Sequence, residues 1–111
     1  MITSWLFSHS SSKIVISTTE LLKKSKYWKK WETRSVWLDS SGSLSWTGGV
    51  GHTGFVKISA HTIVSKRDEE GSKSGGYEFT VMADGRMLEF ASKTEADRDI
   101  FVNGIADFIA S

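Results

Sequence analysis

From Thr19 to Ala91 the apolar residues come in short runs separated by turn-forming residues; after Ser92 their spacing lengthens to three and four. The runs TELLKKS (19–25), TRSVWLD (33–39), LSWTG (44–48), GFVKIS (54–59), TIVSKR (62–67), YEFTVMA (77–83) and RMLEFAS (86–92) predict about seven short strands. Asp84-Gly85 between the last two signals a two-residue hairpin, and DSSGS (39–43) marks a turn after the second run. Ser92 and Glu95 read as a capping box, and Ile100, Phe101, Ile105, Phe108 and Ile109 then form one stripe of an amphipathic helix. Strands followed by a single terminal helix predict an antiparallel sheet or barrel with the helix packed on one end. The expected core is Leu21, Val36, Leu38, Val56, Ile58, Phe79, Val81, Leu88, Phe101 and Ile105.

At 111 residues the chain accommodates one core, so residues 19–111 read as a single domain. Residues 1–18 read as an N-terminal extension whose role the pattern leaves open: an added strand, a cover for the barrel, or a partner contact. The absence of cysteine excludes disulfides, thiolate metal sites and thiol nucleophiles. The apolar tetrad in MITSWLF lacks the flanks and length of a signal peptide, and no run approaches a membrane span. The expected location is cytoplasmic, with any membrane contact made peripherally by the folded surface.

Charge changes this picture more than composition does. The formal net charge is only +1, yet residues 1–34 carry seven basic against two acidic side chains, and residues 35–111 carry seven against eleven. Much of the positive charge sits in KKSKYWKKWETR (23–34), interleaved with Tyr27, Trp28 and Trp31. Such local asymmetry points to a binding face for an anion. If the flanking strands form a hairpin with its tip near Trp28 and Lys29, symmetric pairing sets Leu21 opposite Val36 and Lys23 opposite Arg34. Two like charges facing each other on a sheet are unfavourable, unless an anionic ligand neutralises them at an open barrel mouth. Lys24, Lys26, Lys29 and Lys30 would add field around the rim, and Tyr27 and Trp28 at the tip would suit the headgroup depth of a membrane interface. The plain alternative is a soluble, protected hairpin edge.

These same residues carry a family resemblance. ELLKKS, a basic loop and WETRSVWLDSSGSLSW resemble the opening strands of a pleckstrin-homology domain, with Lys23, Trp31, Arg34, Val36 and Leu38 in the matching places, and RDIFVNGIADFI resembles its closing helix. The resemblance runs from about Thr19 to Ile109. It implies a mainly β fold with one α-helix: a partly open, seven-stranded antiparallel barrel of two roughly orthogonal sheets, capped by the C-terminal helix. It also implies a non-catalytic module that binds anionic phospholipid headgroups, phosphoinositides above all, with a protein-interaction or scaffold domain as the alternative. The headgroup residues would be Lys23, Lys24, Lys26, Lys29, Lys30 and Arg34. Glu32 departs from the basic-x-arginine pattern of tight phosphoinositide binders.

WTGGVGHTG (46–54) is glycine-rich but joins strand-like runs and opens no helix, so phosphate-loop mechanisms do not apply; Trp46 and His52 there are candidates to line the mouth. His9, His52 and His61 have no ligand spacing, and Glu95, Asp97 and Asp99 suit a helix start, so no metal, cofactor or catalytic set is expected. Basic residues with interleaved aromatics are also what nucleic-acid stacking uses, but the acidic second half argues against an extended backbone-tracking groove.

Overall fold

The computed structural model describes residues 15–25, 29–48, 53–67 and 74–110. The strands are β1 (Val15–Lys24), β2 (Trp31–Asp39), β3 (Ser43–Thr47), β4 (Thr53–Lys57), β5 (Ile63–Arg67), β6 (Tyr77–Ala83) and β7 (Arg86–Ser92), followed by the helix α1 (Glu95–Ala110). All pair antiparallel, in the order β4-β3-β2-β1-β7-β6-β5. One hydrogen-bonded sheet therefore runs through all seven strands. β1 bridges its two halves and β4 and β5 are its edges, which leaves the barrel partly open. β1 starts at Val15, so the alternating residues just before Thr19 already belong to the sheet.

Local chemistry places the turns. Asp84 and Gly85 both adopt positive φ, 51° and 71°, as a two-residue turn matching the right-handed strand twist requires. Asp39 closes the β2–β3 turn: its Oδ1 accepts hydrogen bonds from the amides of Ser41 and Ser43 and from the Ser41 hydroxyl. The helix begins two residues later than the Ser92–Glu95 capping box predicts. Thr94 is the cap, its Oγ1 accepting from the Asp97 amide, while Ser92 Oγ accepts from the Thr94 amide.

All ten residues expected in the core are buried, joined by Leu44, Trp46, Phe90 and Val102 among others. Phe79 and Phe90 stack at 5.3 Å, and Trp46 meets Phe90 edge-on at 6.3 Å. Each fully buried side chain of this size stabilises the fold by about 1.5–3 kcal/mol. The helix buries Arg98, Phe101, Val102 and Ile105, and it packs on β5, β6, β1 and β7. Ile100, expected on its apolar stripe, instead faces outward at 56% exposure. The inner stripe follows positions 98, 101, 102 and 105, and at about 100° per residue Ile100 lies roughly 150° from its middle, on the solvent side.

Candidate anion-binding site

The β1–β2 hairpin differs in register from symmetric pairing about Trp28 and Lys29. Leu21 lies opposite Arg34, Lys23 opposite Glu32, and Lys24 opposite Trp31. The expected facing of Lys23 and Arg34 is thus corrected by two residues. The cause lies in the loop closure: the Ser25 amide donates to the Lys30 carbonyl, the Lys29 amide donates to the Ser25 carbonyl, and the Lys30 amide donates to Ser25 Oγ. Lys29 takes a left-handed φ of 56° to complete this tight connection, a conformation that a lysine in the sequence does not announce.

Side chains directly opposite share a face, so Lys23, Glu32, Arg34 and Leu21 all project to the core side of the sheet. Glu32 Oε1 accepts a hydrogen bond from Arg34 Nη2 at 3.0 Å, and Arg34 Nη1 donates to the Thr33 carbonyl. The anion expected to neutralise Arg34 from outside is therefore partly supplied from within the strand.

Lys23 finds a different partner. Its Nζ stands 4.8 Å from the centroid of the Trp46 ring, and Arg86 Cζ stands 5.5 Å from the same centroid. Trp46 pairs with Val36 on one side and Gly54 on the other, which directs its ring to the core side. Gly54 makes room for it, since a Cβ there would lie 2.5 Å from Trp46 Cε2. A buried aromatic face thus seats two cations. Partial burial, and after it the charges of Arg86 and Arg34, hold the Lys23 ammonium below the ordinary lysine value of 10.5.

Beside this seat runs a groove of about 240 Å³, lined by Lys23, Lys24, Ser25 and Lys29 on one side and by residues 85–89 on the other. Four cations line it against one carboxylate, Glu89, and Glu89 is itself held by Lys24 at 3.7 Å and Arg67 at 3.2 Å. The groove is smaller than a drug-sized pocket of roughly 300–1,000 Å³ and suits phosphate-sized groups.

Of the residues expected at the site, Lys23, Lys24 and Lys29 meet in the groove, Trp46 forms the aromatic seat, and Arg34 lies farther along the face of Lys23, tied to Glu32. Lys30 is exposed at the loop base. Lys26, Tyr27, Trp28 and His52 lie outside the described residues. Sequence reasoning missed Arg86; the available signal was its position directly after the Asp84-Gly85 turn, but only the β1–β7 pairing brings it to Lys23. Among the described residues, no group of three or more His, Cys, Asp or Glu is placed to hold a metal, and no helix is long and apolar enough to cross a membrane.

The open seven-stranded sheet with its terminal helix is the pleckstrin-homology fold. The structure is similar to the C-terminal PH domain of pleckstrin in complex with D-myo-Ins(1,2,3,5,6)P5, with a TM-score of 0.71 and 17% identity over 86% of this chain and 95% of that one. It is similar to the solution structure of the C-terminal PH domain of human pleckstrin, with a TM-score of 0.72 and 19% identity over 92% and 91%. It also resembles part of human FAM129B/MINERVA/NIBAN2, with a TM-score of 0.68 and 12% identity over 88% of this chain and 22% of that one. No protein-family model and no curated protein matches the sequence.

Proposed function

We propose that this domain is a non-catalytic module that binds the phosphorylated headgroups of anionic lipids, phosphoinositides foremost, and so attaches peripherally to a cytoplasmic membrane surface. The observation that carries this reading is the cation cluster. Lys23 and Arg86 share one buried indole, burial and then the charges of Arg86 and Arg34 hold the Lys23 pKa down, and Lys24 and Lys29 extend the charge along a phosphate-sized groove. Held cations that repel one another gain most from a multivalent anion. The inositol phosphate bound by one of the similar structures supports the same chemistry.

The chemistry also explains why affinity should be moderate. Glu32 already occupies Arg34, so recognition rests on Lys23, Arg86, Lys24 and Lys29. Each basic residue near an anionic surface contributes on the order of 1 kcal/mol, and the total weakens with salt.

The test is co-sedimentation with vesicles of matched surface charge, containing either a phosphoinositide or phosphatidylserine, at low and physiological salt. Phosphoinositide-selective binding that persists at the higher salt and is lost in a Lys23→Ala/Arg86→Ala variant supports the reading. Binding that follows total charge alone reduces it to an electrostatic anchor. No binding to either vesicle sinks it in favour of a protein partner for the basic face.

A further inference from the structure

Three exposed apolar side chains stand in one row across the second half of the sheet. Ile63 on β5 lies directly opposite Met82 on β6, which lies directly opposite Met87 on β7. They are 60%, 41% and 57% exposed. The alternate row, Val64, Val81 and Leu88, turns inward against the core, as the period of two requires. The next row on the outer face, Ser65, Thr80 and Glu89, is polar.

Single exposed apolar residues are ordinary, but an aligned row of three is not explained by folding. Its place gives it meaning, because Met87 also lines the groove that holds Lys23, Lys24, Lys29 and Arg86. The apolar row and the cationic groove are therefore one continuous surface. With strands about 4.8 Å apart, the row is about 10 Å long.

We infer that the Ile63–Met82–Met87 row enters the interfacial layer of an anionic bilayer while the adjoining groove takes lipid phosphates, so that the domain docks along its β5–β7 face. This rests on the headgroup reading above and adds to it the orientation of the docked domain. Charge complementarity selects the occupant. The groove supplies four cations, its carboxylate Glu89 is engaged by Lys24 and Arg67, and the ridge beside them carries flexible thioethers that adapt to a disordered lipid layer.

The experiment uses the chain's lack of native cysteine, which allows one engineered thiol to be labelled uniquely. Met87→Cys, Ile63→Cys and, as the control on exposed β2, Ser35→Cys are labelled with an environment-sensitive fluorophore and mixed with phosphoinositide-containing phosphatidylserine vesicles. Labels at 87 and 63 shift to the blue on binding and the label at 35 stays aqueous. In parallel, Ile63→Asn/Met82→Asn/Met87→Asn weakens vesicle binding about tenfold, as expected for losing partial burial of three apolar side chains, and the double variant Ile63→Asn/Met82→Asn, which leaves the groove lining untouched, weakens it about fivefold while calorimetric binding of soluble inositol hexakisphosphate is unchanged. If the triple variant does not fold, the labelled single variants carry the test alone.

Vesicle binding with an aqueous label at position 87, or a folded triple variant that binds vesicles as the unsubstituted chain does, overturns the inference and leaves the headgroup reading intact. A blue shift that needs no vesicles and grows with protein concentration makes the row a contact between two copies, which also overturns it. If the unsubstituted chain binds no vesicles, the headgroup reading and this inference fall together.

Discussion

Gly54 lies beneath the indole of Trp46 so closely that a methyl group on its Cα would fall 2.5 Å from Cε2 and 2.6 Å from Nε1 of the ring. The ring cannot stay where it is if any side chain replaces that hydrogen. Gly54→Ala should therefore move Trp46, cost about 1–3 kcal/mol through overpacking, and lower Tm by roughly 5–15 °C. It should also weaken anion binding, because Lys23 and Arg86 lose their seat. Thermal melts and calorimetry with inositol hexakisphosphate check both effects; a variant with native Tm would show that the ring has free space elsewhere.

Arg86 and Lys23 repel each other across the Trp46 ring. Burial and the neighbouring charges make the folded Lys23 pKa lower than its unfolded value, so the folded state binds fewer protons between the two. The Lys23 contribution to stability accordingly rises as pH increases through the lowered folded pKa towards 10.5. Arg86→Ala should raise the Lys23 pKa back towards the ordinary lysine value, and a bound polyphosphate should do the same. Side-chain NMR titration of Lys23 reads the direction, and an unchanged or lower pKa in Arg86→Ala would refute the coupling.

Glu32 restrains Arg34 through an ion pair whose carboxylate side is 47% exposed. Its removal should cost little stability, within about 1 kcal/mol, as for other exposed pairs. Freed, Arg34 should add one phosphate contact, so Glu32→Gln should bind anionic vesicles about fivefold tighter and with a steeper salt dependence. Co-sedimentation across a salt series measures both. Equal affinity would place Arg34 outside the site.

Asp99 ties α1 to the β5 edge through Lys66 at 3.1 Å, with Arg98 Nε donating to the same oxygen. The Lys66 hydrogen bond, followed by the Arg98 hydrogen bond and both positive charges, lowers its pKa below 3.8. A depressed carboxylate contributes stability above its unfolded pKa and loses it as pH falls through the folded value. Asp99→Asn should therefore melt lower than the unsubstituted chain at neutral pH, the difference closing below about pH 4. Melting curves across that range decide it, and a gap that persists in strong acid would point to packing instead of charge.

Much of the fold was legible because its signals are local. The period of two placed the seven strands, Asp84-Gly85 fixed one hairpin, and the ten expected core positions are all buried. The β1–β2 register was not legible. Its loop closes through a lysine at positive φ where glycine would have been the signal, and the two-residue difference keeps every side chain on the same face, so hydrophobic alternation cannot detect it. Lys23, Lys24 and Lys29 were singled out by charge density and Trp46 by its place in the glycine-rich 46–54 stretch, whereas Arg86 joins them only through a pairing of strands some sixty residues apart, which no local pattern records. Ile100 was misplaced because an isoleucine one position from the stripe counts equally in a spacing argument.

The bridging position of β1 in the sheet also has a kinetic meaning. β1 pairs with β2 close by in sequence and with β7 at the far end of it, so the two halves of the barrel join only when the chain closes a long loop. Domains dominated by such distant pairings fold on the order of milliseconds to seconds, slower than those built from local contacts. Lys23 and Trp46 belong to the early half and Arg86 to the late one. The cation seat therefore exists only where the two halves have joined, which makes anion binding a report on that closure and leaves any species with β1 and β7 apart without the groove.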